Sequence, residues 1–293
     1  MATQQTLVGM GGVSALYDFG SGTVTFTANG RVNYTGPSLS EVRSGLSGGN
    51  SGVWKNDTNF LNTSSGFILW TVPADGTYRF NTHGCRGGNQ YSNEQGGYGT
   101  HMRGDFVLVK GDVIKMLVAQ QGGSSYGGGG GMSAVATNSN TPMIVSGGGN
   151  PTSPWNNTTR NATTNSSGTS GSYGWEGGSG AGGYSQAGVW GGAGFYGNPG
   201  GSESCGSTKP VSFINGGLGG YSCNGQGGWG GGSGTDGCCY GASGAGGGYS
   251  GGAGTASSGQ YGGGGGSYNN GANQSNTQSG ETYGKIQIEF LGA

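Results

Sequence analysis

Charge is scarce in this chain, with 11 basic and 12 acidic residues among 293 and a net charge of −1. Nucleic-acid binding draws its affinity from phosphate neutralisation by Lys and Arg, so without a basic excess that function is not expected. No apolar run approaches the roughly 20 residues that a membrane-crossing helix requires, and membrane insertion is not expected either. The N-terminal MATQQTLVGMGG lacks a basic n-region and an apolar h-region. A secretory signal is therefore not read there, and an unprocessed Met1 is the expectation. Metal chemistry lacks its usual frame, because no CxxC occurs and His83 and His101 do not have ligand spacing. Their expected place is a polar position near the end of a strand. Leu, Ile, Val and Phe together number only 40. So low a share goes with disorder when net charge is high, which is not the case here.

Glycine fills the gap, with 77 residues clustered in phrases such as Gly216-Gly217-Leu218-Gly219-Gly220-Tyr221 and Gly247-Gly248-Tyr249. Two glycines followed by a larger residue, recurring every three, are the spacing of an extended threefold helix. Such helices pack side by side with glycines on the buried faces and backbone amides bonding between neighbours. Residues 151–280 hold 44 glycines, six of the 40 Leu, Ile, Val and Phe residues, and five charged residues. That stretch cannot build a core from apolar side chains.

The rest of the chain reads as strand. Val24, Phe26 and Ala28 alternate with polar residues, and Phe67–Val72, a turn at Pro73-Ala74-Asp75-Gly76, and Thr77–Phe80 read as a strand and its return. Asp105–Val109, Lys110-Gly111-Asp112 and Val113–Ala119 read as the clearest hairpin. Met143–Val145 and the alternating Lys285–Phe290 add two strands, and Pro37-Ser38 starts a short helix over 38–46. The C-terminal strand cannot stand alone, so it pairs with the earlier ones. The expected fold class is therefore all-β: a sandwich over 19–121 and 281–293 with the 143–145 strand, preceded by an anchor segment at 1–18. Residues 122–280 are then a polyglycine II insertion held at both ends, with a polar loop at 151–174.

Several of these residues carry a family likeness. Gly66–Phe80, Gly97-Tyr98-Gly99, Arg103-Gly104-Asp105-Phe106, Lys110-Gly111-Asp112, Phe213–Gly217 and Gly262–Asn269 resemble, in order and spacing, the glycine-rich extracellular region of the anaplastic lymphoma kinase and leukocyte tyrosine kinase receptors. The likeness runs from about residue 19 to residue 290. It implies a tumour-necrosis-factor-like, jelly-roll-like sandwich fused to a polyglycine II bundle; similar bundles occur in phage tail-fibre adhesins. The chain has no transmembrane segment and no kinase, so receptor signalling does not carry over, and a scaffold does not fix a function.

Signals for chemistry are weak. Arg103-Gly104-Asp105 is formally an adhesion tripeptide but reads as the opening of a strand, and the GxGxxG matches follow no βαβ unit. Asp75, Asp105 and Asp112 read as turn residues. Neither an enzyme nor a cofactor is expected. The candidate disulfide cysteines are Cys85, Cys205, Cys223, Cys238 and Cys239, an odd set that allows two pairs and one free thiol without specifying partners. Sequons at Asn33, Asn56, Asn62, Asn156, Asn157, Asn161, Asn165 and Asn273 are only mildly in excess of chance.

Surface recognition is the remaining candidate. Trp155, Tyr173, Trp175, Trp190, Tyr196 and Trp229 are rigid aromatics on a small polar background, a mix that resembles paratopes. The competing expectation is that they cover edges of the bundle or fill gaps against the sandwich. The leading reading is a non-enzymatic virion component, a phage-type fibre or spike that binds a host receptor or surface glycan. Residues 1–18 would then join it to other virion subunits or to a second copy, at the virion surface or extracellularly. A secreted or cell-surface matrix or filament subunit with a mechanical role is the alternative, and a soluble ligand-binding receptor domain the third.

Overall fold

Period-two alternation of apolar residues builds two antiparallel six-stranded sheets whose apolar faces meet. The structure, a computed structural model, describes residues 14–89, 95–123, 127–152, 160–172, 174–186, 188–201, 207–222, 225–235, 242–256 and 259–293. In chain order the strands are β1 (Thr23–Thr27), β2 (Leu46–Ser47), β3 (Leu61–Ser64), β4 (Phe67–Thr71), β5 (Gly76–His83), β6 (Thr100–Leu108), β7 (Val113–Leu117), β8 (Ser133–Thr137), β9 (Pro142–Ser146), β10 (Tyr184–Ser185), β11 (Gly200–Gly201), β12 (Tyr268–Asn269), β13 (Ala272–Gln278) and β14 (Lys285–Gly292). The outer sheet has the order β13-β6-β5-β14-β1-β2, and the inner sheet β12-β9-β8-β7-β4-β3. The short helix expected near 38–46 forms as α1 (Leu39–Gly45), capped by a Ser38/Glu41 capping box.

The core between the sheets takes Val24, Phe26, Tyr78, Phe80, Met102, Ile286 and Ile288 from one side and Ile68, Trp70, Ile114, Met116, Val135 and Ile144 from the other. The C-terminal strand does pair with earlier strands: β14 lies between β1 and β5, with Ile288 opposite Val24 and Phe80.

Both expected hairpins are corrected. β4 pairs with β3 and β7, whereas β5 pairs with β6 and β14. The Pro73–Gly76 turn therefore crosses from the inner sheet to the outer one, and the Lys110–Asp112 turn crosses back. The two crossings lie side by side: Val72 N–H donates to Asp112 O (2.8 Å), Gly111 N–H to Val72 O (2.9 Å) and Lys110 N–H to Asp75 Oδ1 (2.7 Å). Each strand carries one apolar face, and an arch puts the apolar faces of successive strands on opposite sides of one core. A flat hairpin would put them on the same side.

The inner sheet is covered on its far face too. All five residues of β9 and four of β8 are buried, which explains why neither strand alternates in sequence. Ala134, Ala136, Leu117, Phe67 and Val145 meet Phe195, Phe213 and Trp229 in a second apolar cluster. The 3₁₀ turn Phe213–Asn215 carries one of these rings, which stacks on Phe195 at 4.4 Å.

Around this cluster glycine backbones bond directly to each other. Gly246, Gly247 and Gly248 donate their amides to Gly263 (2.9 Å), Gly130 (3.0 Å) and Ala193 (3.2 Å). Gly129, Gly130 and Gly131 donate to Ser233 (2.9 Å), Gly149 (3.0 Å) and Gln120 (3.1 Å). Three successive amides thus turn to three neighbours, whereas those of a strand, which repeats every two residues, address two. A methyl on Gly131 would fall on Trp229 O and one on Gly246 on Gly148 O, so no other residue fits at these crossings.

The expected division at 122–280 is also corrected. The expected 143–145 strand forms as β9, but β8, β12 and β13 also fall inside that range and belong to the sheets, so the layer is interleaved with the sandwich. In sequence β8 is hidden by its small residues and its burial on both faces, and β13 by its Asn and Gln, because it is the outer-sheet edge and almost wholly exposed.

Candidate functional site

The six predicted aromatics separate into four groups. Trp155 and Tyr173 lie outside the described residues. Trp229 is fully buried in the second apolar cluster, 5.4 Å from Phe67, and so is corrected from binding surface to core. Trp190 is half-buried, its indole N–H donating to Ser207 O (3.3 Å) and one ring face taken by Lys209 Nζ at 4.6 Å. Trp175 and Tyr196 are open to solvent, at 57% and 43% of their full exposure.

These two do not act alone. Tyr184 N–H donates to Trp175 O (2.7 Å), and the two rings lie 5.3 Å apart at 52°. Tyr184 is exposed as well. It too is an aromatic on a background of small residues, in the triplet Gly182-Gly183-Tyr184, and it could have been found that way. Residues 180–184 and 196–200 form a parallel ribbon: β10 pairs with β11, and Tyr196 N–H donates to Gly180 O (2.9 Å). Each ring lies over a glycine of the opposite segment, Tyr184 over Gly200 and Tyr196 over Gly180, where a Cβ would strike the ring. Phe195 and Tyr249 back the Tyr196 ring at 5.0 and 6.2 Å, and Tyr249 in turn stacks on Tyr268 at 4.7 Å. Burial, with Tyr196 and Tyr268 nearby, pushes the Tyr249 hydroxyl above its ordinary range. Elsewhere Tyr34 and Tyr221, both exposed, pair at 5.7 Å.

The remaining motifs resolve as structure. Asp105 lies inside β6 and not at a turn or strand start; it is buried and gripped by Arg79 at 2.7 and 2.9 Å, with Asn273 Nδ2 donating to it at 2.9 Å. The Arg79 bond holds its carboxyl below the usual carboxylate range, so the Arg103-Gly104-Asp105 tripeptide does not present its acid. Cys85 leaves the disulfide candidates: it is a free, buried thiol that accepts a hydrogen bond from Gly284 N–H (2.8 Å), and burial raises its pKa. Cys205, Cys223, Cys238 and Cys239 lie outside the described residues. So do residues 1–13 of the expected anchor; of the rest, Leu16 N–H bonds to Pro73 O (2.8 Å) and Tyr17 OH to Thr71 O, so these residues dock on their own sandwich. Among the sequons, Asn33, Asn62 and Asn161 accept backbone N–H groups on their Oδ1 atoms, whereas Asn273 donates its Nδ2 to Asp105. Asn56, Asn62 and Asn165 are exposed, and Asn156 and Asn157 lie outside the described residues.

His83 and His101 do sit near strand ends, but the register brings them together. They face each other across β5 and β6, stacked at 4.1 Å and 7°. His83 Nδ1 bonds to Ser279 Oγ (3.1 Å) and His101 Nε2 to Asn81 Oδ1 (3.3 Å). Burial, helped by His101 and Lys285, lowers the His83 pKa to about 3. Burial, Lys285 and Arg103 lower that of His101, against an opposing pull from Glu281. Because the unfolded chain takes up these protons near 6.5, the stability is complete above that pH and is lost as pH falls toward 3. For His83 alone the loss at pH 5 is about 2 kcal/mol. Urea midpoints between pH 7 and 4.5 measure it, and His83→Gln flattens the slope in that window. An unchanged slope would show that the pair is not the source.

Among the described residues no three His, Cys, Asp or Glu side chains gather as a metal site. No helix among them is long and apolar enough to cross a membrane. No known protein family matches the chain, and no curated protein is significantly similar to it. The likeness to the kinase receptors rests on its motifs alone.

Proposed function

We propose that this chain is a non-enzymatic surface-adhesion protein, a fibre or spike component of a phage-type virion that binds a host receptor or surface glycan. In this reading the sandwich is a tumour-necrosis-factor-like base and the glycine layer is a polyglycine II bundle, related in architecture to the kinase-receptor ectodomains and tail-fibre adhesins. The observation that carries it is the exposure of Trp175, Tyr184, Tyr196 and Tyr221 on a layer whose own backbone amides are bonded internally. A scaffold held by backbone bonds leaves its larger side chains free for contact, and rigid aromatics bind with little loss of rotamer entropy. Residues 1–13 are the segment left for joining other virion subunits or a second copy, since residues 14–18 dock in cis.

Fluorescently labelled protein is expected to bind intact host cells saturably, and Trp175→Ala with Tyr196→Ala to reduce that binding at least tenfold at unchanged melting temperature. Absence of saturable binding across a broad panel of cells removes the adhesion reading.

A further inference from the structure

The ribbon bearing Trp175, Tyr184 and Tyr196 has a chemistry that narrows its ligand. From Gly174 to Gly201 the only charged residue is Glu176. The same stretch has no Leu, Ile or Met, and its one valine, Val189, is buried. A protein partner is met by aromatic anchors set among apolar and Arg contacts, and this stretch itself supplies no Arg and no exposed Leu, Ile, Val or Met. Anionic ligands are met by Lys or Arg; the neighbouring Lys209 is engaged on the Trp190 ring at 4.6 Å, and the ribbon itself has neither. What it offers is three exposed rings, the exposed polar side chains of Ser179 and Asn198, and a glycine backbone that lets a ligand approach closely.

We infer that this ribbon binds a neutral carbohydrate chain, a reading that rests on the adhesion function proposed for the protein. One face of a pyranose ring presents a row of C–H groups that carry partial positive charge. The face of an aromatic ring is the negative pole of its quadrupole and attracts them. Hydroxyl groups around the sugar edge bond to groups such as the Ser179 hydroxyl and Asn198 Nδ2, whose amide is held in place by Ser212 N–H donating to Asn198 Oδ1 (2.7 Å). Gly180 and Tyr184 lie four residues apart, roughly 12 Å at a rise of about 3.1 Å per residue. The Tyr196 ring at one end and the Trp175–Tyr184 pair at the other therefore suit an oligosaccharide and not a single sugar. The rings are held before binding: Tyr196 rests on Gly180 and is backed by Phe195 and Tyr249, and Tyr184 is tied to Trp175 and covers Gly200. Little entropy remains to be lost on binding.

The test is a printed array of neutral and acidic oligosaccharides, probed with the full-length protein and followed by titration of the strongest neutral hit. Wild type is expected to bind neutral oligosaccharides of three or more residues. Trp175→Ala and Tyr196→Ala are each expected to weaken that binding at least tenfold, Trp175→Tyr to retain most of it, and Val107→Thr, on the outer sheet, to leave it unchanged. Silence on every neutral glycan, binding confined to acidic ones, or equal binding by Trp175→Ala overturns the inference. If cells are bound but no neutral glycan is, the carbohydrate assignment falls while adhesion stands. If neither is bound, both fall.

Discussion

Gly246→Ala is expected to cost about 3 kcal/mol or more of stability, whereas Gly178→Ala is expected to be neutral or to stabilise by up to about 1 kcal/mol. Both are glycine-to-alanine changes in the glycine-rich layer, and they differ only in what surrounds the Cα. A methyl on Gly246 falls on the Gly148 carbonyl oxygen, with the Gly148 carbonyl carbon and Gly149 oxygen close behind; one on Gly178 meets nothing within 4 Å. The obstructing atoms are backbone and cannot rotate away. To admit the methyl, the 246–248 segment must part from 148–149, which strains the bonds Gly246 N–H to Gly263 O (2.9 Å) and Gly148 N–H to Gly247 O (2.8 Å). In the exposed position the methyl instead reduces the freedom of the unfolded chain. Urea unfolding of the two variants measures the contrast. Equal midpoints would show that the glycines are compositional and not packing faces.

Trp229→Ala is expected to destabilise by about 3–5 kcal/mol, with Trp229→Phe costing less. The indole is fully buried and lies in a slot of three glycines: Gly36 and Gly66 beside the inner sheet and Gly217 in the layer. Phe67 meets it edge-on at 5.4 Å. Its ring nitrogen has no hydrogen-bond partner among the described residues, so the loss is one of packing alone. Because the slot draws on both parts of the fold, a cavity there also uncouples them. Calorimetry of wild type is expected to show one transition, and that of Trp229→Ala a broadened or split one. A loss below about 1 kcal/mol would mean that the site collapses without cost, against the large-to-small rule for cores.

Much of the β framework was legible because short-range patterning carries it. Alternation in Val24–Phe26 and Lys285–Phe290, the turn residues at 73–76 and 110–112, and the Pro37-Ser38 helix start all locate elements that form. Partnering was not legible. Phe67–Thr71 and Gly76–His83 look like a hairpin because the turn between them is good turn chemistry. A turn sets only where the chain reverses; whether it closes a hairpin or an arch depends on which neighbours bury each face. Strands β8 and β13 escaped for opposite reasons, one buried on both faces and the other on neither, so neither alternates. The candidate surface divides likewise. Trp175 and Trp229 sit in similar glycine-rich phrases, yet one is exposed and the other is core.

From the sequence alone came an all-β protein with too little apolar material for its length, and a glycine spacing that turns bare backbone into a packing surface. Tertiary structure alone decided where that surface is closed. An amide–carbonyl bond between glycines carries no side-chain label, so Gly130 is paired with Gly149 by the geometry of the whole layer and not by any local pattern. The same geometry sent Trp229 inward to cover the inner sheet and left Trp175, Tyr184 and Tyr196 facing outward, where a ligand can reach them.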